Sequence, residues 1–222
     1  MCGRYSLTVP EEAMRQLFDL PAAGWMSPRF NISPSQIAPV LRRDENSGRM
    51  VVDGMTWGLI PSWTKQSTGG QKIQAGQINA RSETAAEKPT FRAAYRRRRC
   101  LIPADGFYEW QKWNGTKQPF YIARADGAPF AFAGLWERWD GGGEGLAEAP
   151  PLESCAIVTT DANERVAPVH DRMSVILAPS DYALWLDPRV DDLPILEALL
   201  RPCPADDLFV WPVSTHVNSP AH

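Results

Sequence analysis

Apolar stretches of strand length, separated by short polar turns, recur along most of the chain. Aromatic and branched residues dominate them, which favours strands over helices. The turn sequences NGTK (114–117) and DGAP (126–129) predict that the strands they join are adjacent. The predicted strands in this half are CLIPADGFYEWQKW (100–113), QPFYIARAD (118–126), PFAFAGLWERW (129–139), SCAIVTTDAN (154–163), SVILAP (174–179) and LFVWPVS (208–214).

The N-terminal part adds a predicted hairpin. RFNISPSQIAPVLRR (29–43) indicates a loop leading into a strand, DENSG (44–48) a turn, and RMVVDGMTWGLIP (49–61) the returning strand. The polar stretches TKQSTGGQKIQAG (64–76) and GGGEGLAEAPP (141–151) are typical of mobile surface loops.

Strands dominate the pattern, and the predicted helices lie at the edges. Met14, Leu17 and Phe18 share one face of the first helix, and Ser180 and Asp192 are candidate N-caps of the last two. Because no regular strand–helix alternation occurs, the pattern indicates an α+β fold with a largely antiparallel sheet. The predicted helices are Pro10–Leu20, Thr90–Arg98, Ser180–Leu186 and Leu193–Arg201.

Composition narrows the class of protein. With 222 residues, of which 44% are hydrophobic, the chain fits one domain with a sizeable core. It has neither an apolar run of about 18 residues nor the layout of a signal peptide. We therefore expect no transmembrane helix and no membrane partner, and a cytoplasmic or nucleoid location. The four cysteines and three histidines are not clustered, which argues against a zinc site, and we expect no metal. Cys100 and Cys155 are predicted to be buried small apolar residues, and Cys203 an inert loop residue.

A run of arginines stands out against the net charge of −3. FRAAYRRRRC (91–100) concentrates positive charge that could attract nucleic acid. The same arginines would also suit the solvated C-terminal end of a helix, where cations complement the helix dipole. The pattern does not separate these two interpretations.

Cys2 follows the initiator methionine, and removal of Met1 would give it a free α-amine beside its thiol. These groups titrate at roughly 7.7–8.0 and about 8.5 in model compounds. The amine can condense with an aldehyde to an imine, and the thiol can then close a five-membered thiazolidine, a step favoured by proximity. A frayed terminus without function is the simpler alternative.

Three further polar islands interrupt apolar segments. Glu109, within GFYEW, is a candidate general acid if aromatic neighbours desolvate it, but strand alternation equally allows a water-facing position. His170, within VHDRM, is assigned to a core strand segment and titrates in a useful range. Asn79 and Arg81, two apart in INARSET, would share one strand face and could hold polar groups or phosphate.

These islands together resemble the SRAP (SOS-response-associated peptidase) family of abasic-site sensors. The resemblance implies a single SRAP domain over residues 1–222, with a core at 2–215, a short tail at 216–222, and a curved, barrel-like sheet with peripheral helices. The matching stretches, in the family's order, are MCGRY, RFNISPSQ, WGLIPSW, INARSET, RRCLIPADGFYEW, QPFYI, AGLWE, AIVTTDAN and VHDRM.

The resemblance also implies roles for individual residues. Cys2 would form a thiazolidine with the ring-opened abasic sugar in single-stranded DNA, Asn79 would position both partners, and Glu109 and His170 would move protons. Arg4, Arg81 and Arg172 would contact phosphates, whereas Asn31, Pro34, Trp63 and Trp110 would line the DNA groove or stack on bases. The family is also credited with releasing residues ahead of the cysteine. It usually reads HDRMP, and here Ser174 replaces the proline.

Other classes of function fit part of the pattern. Glutamine amidotransferases also begin MCG and use the thiol on an amide, so an N-terminal-nucleophile amidohydrolase is one alternative. A non-covalent single-stranded DNA-binding module is another, and a protease acting on other chains is a third. None of these interpretations needs an organic cofactor, and we expect a monomer.

Overall fold

A computed structural model describes residues 2–20, 27–44, 47–65, 76–113, 115–141 and 151–220. The strands in these ranges are β1 (Arg4–Leu7), β2 (Arg29–Ile32), β3 (Ile37–Arg43), β4 (Met50–Trp57), β5 (Asn79–Arg81), β6 (Arg99–Ala104), β7 (Gly106–Trp113), β8 (Thr116–Arg124), β9 (Phe130–Trp139), β10 (Leu152–Asp161), β11 (Arg172–Ser174), β12 (Ile176–Leu177) and β13 (Leu208–Pro212). The α-helices are α1 (Glu11–Phe18), α2 (Ser82–Ala85), α3 (Arg92–Arg97), α4 (Tyr182–Leu186) and α5 (Leu193–Leu199). Three 3-10 turns span Pro179–Asp181, Ala205–Asp207 and Thr215–Asn218.

Five strands close into a barrel, in the order β10, β4, β3, β6, β9 and back to β10. Closure pairs the edges that an open sheet would expose. β5 and β11 attach to β10, and β12 attaches to β9. Fully buried residues on the barrel strands include Leu41, Trp57, Leu101, Phe132 and Ile157.

The second layer is an antiparallel sheet in the order β13, β8, β7, β1, β2. It packs on the barrel through edge-to-face aromatic contacts, with ring centroids 5.3 Å apart for Tyr5 and Trp57 and 5.8 Å apart for Phe107 and Phe132. The prediction of an α+β, barrel-like, largely antiparallel fold is therefore confirmed. The parallel exceptions in the described chain are the pairings of β10 with β4 and with β5.

The strands of the aromatic segment at 100–139 are arranged differently from the predicted arrangement. CLIPADGFYEWQKW is not one strand, because β6 belongs to the barrel and β7 to the second sheet. The chain changes sheets at Asp105, whose carboxylate accepts hydrogen bonds from Ser6, Thr8 and Val9 at the end of β1. β7 and β8 pair as predicted, but β8 and β9 lie in different sheets, so the prediction that they are adjacent was wrong.

The predicted hairpin at 29–61 forms as β3 and β4, and four of the helices appear within the predicted ranges. Asp192 caps α5 by accepting a hydrogen bond from the backbone of Ile195 at 3.3 Å. Ser180 does not cap α4, because it lies in a 3-10 turn and α4 begins at Tyr182. Most of the two predicted surface loops lies outside the described residues. No helix in the described ranges is long and apolar enough to span a membrane.

Candidate active site and nucleic-acid interface

Cys2 lies immediately before β1 and is fully buried. Its carbonyl oxygen accepts a hydrogen bond from Asn79 Nδ2 at 3.0 Å, and its thiol lies 3.8 Å from the carbonyl oxygen of Arg4. Burial raises the pKa of the Cys2 thiol to about 12, and the negative charge of Glu109 adds to the rise. The thiol therefore needs a neighbouring base or a hydrogen-bond donor to react as a thiolate near neutral pH.

Glu109 points to the inside of β7. Strand alternation places it on the same face as Phe107, which is fully buried, whereas Tyr108 and Trp110 lie on the outer, half-buried face. The water-facing alternative for Glu109 was thus wrong, since only 2% of this residue is exposed. Burial raises the pKa of the Glu109 carboxyl, and the interaction with His170 opposes that rise. A carboxyl with this environment can take or give a proton closer to neutrality than an exposed glutamate.

His170 lies in the turn before β11, not in a strand as predicted. Its side chain is 28% exposed, and its Nδ1 accepts a hydrogen bond from the backbone N–H of Arg172 at 2.9 Å. Gln111 of β7 donates to the carbonyl oxygen of Pro168 at 2.8 Å and so ties the turn to the sheet. This connection brings the imidazole to the same cavity as Glu109.

The cavity beside Glu109 has a volume of about 480 Å³. Besides Glu109 and His170, its lining includes the cationic side chains of Arg4, Lys112 and Lys117. Sequence reasoning missed the two lysines, although the predicted NGTK hairpin places them opposite each other and the register confirms the pair. Three cations around one mouth suit a polyanionic ligand.

Arg4, Asn31 and Trp110 form one cluster with the C-terminal segment. The Arg4 guanidinium donates to Asn31 Oδ1 at 2.9 Å and to the carbonyl oxygens of Val217 and Asn218, and it lies 6.0 Å from the centre of the Trp110 ring. Trp110 Nε1 donates to Asn218 Oδ1 at 2.7 Å. The segment at 217–219 is therefore part of the candidate site, although the sequence resemblance assigns it to the short tail at 216–222.

The remaining predicted DNA contacts do not line this cavity. Arg172 is held by Glu83, by Asp161 and by the carbonyl oxygen of Thr159, so its charge is already largely compensated. Arg81 on β5 is exposed, and Pro34 is half-buried. Trp63 is 63% exposed, as a residue that stacks on a base would be.

The arginine run is mainly structural at its C-terminal end. Arg98 pairs with the buried Glu137 at 2.6 Å. Arg99 is 4% exposed and donates to five backbone carbonyl oxygens, which neither interpretation of the run predicted. Arg92 and Arg96 remain exposed on α3.

The other cysteines lie in the settings predicted for them, in the core or in a loop. Cys100 and Cys155 are fully buried, and Cys203 lies in a loop with partial exposure. Burial raises the pKa of each thiol, to about 12 for Cys155 and about 11 for Cys203. Of the thiols in the described chain, Cys2 therefore has the setting for chemistry: it is coupled to Glu109, which lines a cavity that also contains an imidazole.

The fold and the site define a barrel protein in which Cys2, beside the N-terminus, is coupled to a buried carboxyl. The family model described as SOS response associated peptidase (SRAP) matches residues 1–220, and the chain belongs to that family. The predicted family is thereby confirmed.

Relatives share both sequence and structure over most of the chain. "Abasic site processing protein YoqW" of Bacillus subtilis is 40% identical over 99% of this chain and 95% of its own length. "Abasic site processing protein HMCES" of Gallus gallus is 32% identical over 99% of this chain and 74% of its own length. A solved protein from Bacteroides thetaiotaomicron superimposes with a TM-score of 0.82 at 25% identity, covering 100% of this chain and 97% of that one. One from Bordetella bronchiseptica gives 0.80 at 30% identity, with coverage of 96% and 100%.

Proposed function

We propose that this protein recognises abasic sites in single-stranded DNA and captures them covalently through Cys2, once Met1 has been removed. The observation that carries the proposal is the convergence of Cys2, Asn79, Glu109 and His170 from four separate segments of the chain. Relatives named as abasic site processing proteins support it. Such a protein would work in the cytoplasm, on the nucleoid, and without a metal or organic cofactor.

The proposed chemistry is redox-neutral. The α-amine of Cys2 attacks the aldehyde carbon of the ring-opened sugar, and loss of water gives an imine. The Cys2 sulfur then forms a bond to the imine carbon, the π electrons move to nitrogen, and nitrogen takes up a proton. Glu109 is the proposed proton carrier, His170 assists opening of the sugar, and Asn79 fixes the Cys2 backbone through its 3.0 Å hydrogen bond.

The proposed DNA surface combines charge with aromatic rings. Lys112 and Lys117 at the cavity mouth hold phosphates without reading sequence, and Trp63 and Trp110 stack on bases. A single strand is favoured because its damaged sugar can enter the cavity without the cost of breaking base pairs.

The decisive test uses a labelled single-stranded oligonucleotide with one abasic site, run on a denaturing gel after incubation. We expect a slowly migrating band with the parent protein and none with Cys2→Ala, because alanine has no sulfur to close the ring. Mass spectrometry of the band should give the mass of protein plus DNA minus one water.

An undamaged oligonucleotide and a check of the N-terminal residue are the two controls. An undamaged oligonucleotide should give no band with either protein. If Cys2 is the first residue by mass spectrometry and the abasic oligonucleotide still gives no band, the proposal is wrong. Release of ammonia from glutamine would then favour the amidohydrolase, and salt-sensitive binding that survives Cys2→Ala would favour a non-covalent binding module.

A second prediction concerns the lysine pair. We expect Lys112→Ala together with Lys117→Ala to weaken binding to undamaged single-stranded DNA about tenfold at low salt, with a shallower dependence of affinity on salt, since fewer counterions are released. Fluorescence anisotropy across a salt series measures both effects. The matched control is Arg92→Ala together with Arg96→Ala, two exposed cations on α3 outside the cavity lining, for which affinity should stay within twofold. Equal losses in the two proteins would show that net charge, and not this cavity, governs binding.

A further inference from the structure

Three polar side chains share one face where β5, β10 and β11 meet. β10 pairs with β5 through Ile157 and Asn79, and with β11 through Thr159 and Ser174. Residues paired across strands point to the same side, as do residues two apart on one strand. Asn79, Thr159 and Ser174 therefore point to the side on which Asn79 binds the Cys2 backbone.

Ser174 has an unusual position for a hydroxyl group. The residue is fully buried, and its Oγ makes no hydrogen bond to any nitrogen or oxygen atom of the described chain. A buried hydroxyl without a partner is destabilising, so native proteins rarely keep one without a reason. The thiol of Cys2 is close enough for this hydroxyl to lower its pKa, although the pair is not in hydrogen-bonding geometry in this structure.

The other groups facing the thiol do not replace this donor. Glu109 of β7 is an acceptor when ionised and raises the pKa of Cys2, as burial does. Tyr5 of β1 is coupled to the thiol through charge and not through a hydrogen bond. Ser174 is therefore the side chain whose hydroxyl opposes the effects of burial and Glu109 on the thiol.

We propose that Ser174 is a positioning residue, whose hydroxyl donates a hydrogen bond to Cys2 Sγ and stabilises the thiolate during closure of the thiazolidine ring. The hydroxyl keeps its own proton. The thiol proton leaves to Glu109 and reaches the ring nitrogen as the carbon–sulfur bond forms, so atoms and charges balance. This inference rests on the proposed function, but it concerns the sulfur alone and can be measured without DNA.

The experiment compares the full-length protein with Ser174→Ala and Ser174→Thr. Iodoacetamide, a small neutral reagent that reacts with thiolates, is applied from about pH 6 to about pH 9, and modification of Cys2 is followed by peptide mass spectrometry. We expect Ser174→Ala to react about three- to tenfold more slowly at each pH, as the loss of one hydrogen bond to the thiolate requires. Ser174→Thr, which keeps the hydroxyl, should restore most of the rate.

Two references separate this effect from general damage to the fold. Cys203 in the same digest should react at an unchanged rate, because Ser174 is not among the groups that interact with its thiol. Ser154→Ala removes another fully buried serine hydroxyl, one that binds the backbone of Ile60, and should leave the Cys2 rate unchanged. Thermal unfolding of each variant shows that the compared chains are folded.

The outcomes distinguish the inference from the proposed function. If Ser174→Ala reacts at the parent rate, or if Ser174→Thr folds but remains as slow as Ser174→Ala, the inference is overturned. If Cys2 of the processed parent protein does not react at all, the proposed function itself fails, since its thiol must reach an aldehyde carbon.

Discussion

Replacing Glu109 by glutamine is expected to slow covalent capture of an abasic oligonucleotide by about a hundredfold or more, the usual contribution of a positioned proton carrier. Glutamine keeps the shape of the side chain but cannot take the thiol proton or return it to nitrogen. Single-turnover capture at saturating protein measures the chemical step without a contribution from DNA affinity. Affinity for undamaged DNA should change little.

The same substitution is expected to stabilise the fold at neutral pH. The pKa of Glu109 in the folded protein lies above its ordinary value of 4.5, because burial disfavours the charged form. As pH rises above that value, the unfolded chain loses its proton first, so stability falls until pH passes the raised folded pKa. Glutamine has no charge to bury, so the variant should melt at a higher temperature than the parent once the pH exceeds the folded pKa of Glu109. Below about pH 4, the two proteins should melt at the same temperature, because Glu109 is then uncharged as well.

A second buried carboxylate provides the contrast. Glu137 is 4% exposed and pairs with the guanidinium of Arg98 at 2.6 Å. Glu137→Gln should therefore lower the melting temperature at neutral pH and leave capture unchanged. If Glu109→Gln captures DNA at the parent rate, or if it melts at a lower temperature than the parent at neutral pH, the role assigned to Glu109 is wrong.

Sequence patterns could identify the candidate site residues but not all of their surroundings. Cys2 was recognisable from its position in the chain, and Asn79, Glu109 and His170 from polar islands in apolar segments. Glu109 could not be assigned to a face, because both faces of β7 carry aromatic rings and the choice depends on which one packs against the barrel. Lys112 was predictable in principle, as it follows Trp110 by two positions.

Contacts between distant segments were beyond local patterns. Nothing near Arg4 indicates that its guanidinium binds the carbonyl oxygen of Val217, 213 positions away. The compensation of Arg172 by Glu83 has the same origin. In the fold, hairpins with short loops were predictable, whereas the switch between sheets at Asp105 was not. It depends on hydrogen bonds from β1 and the residues that follow it.

Arg99 shows most clearly why charge patterns alone mislead. It begins β6 and lies over Trp185, with 5.6 Å between the guanidinium carbon and the ring centre. Its nitrogen atoms donate to the carbonyl oxygens of Trp185 at 2.6 Å, Tyr95 at 2.7 Å and Arg96 at 2.8 Å, and to those of Asp187 and Val190. These oxygens belong to α3, α4 and the segment after α4, so one side chain holds three pieces of the chain on the barrel.

Arg99→Ala is expected to lower the free energy of unfolding by about 3–5 kcal/mol, because it leaves several buried carbonyl oxygens without a donor. Arg99→Lys should recover only part of the loss, since an ammonium has three donors and lacks the planar geometry that reaches several carbonyls. Urea unfolding measures both variants, with Arg96→Ala, an exposed neighbour, expected to stay within about 0.5 kcal/mol of the parent. A small loss for Arg99→Ala combined with weaker DNA binding would instead make this arginine part of the DNA surface.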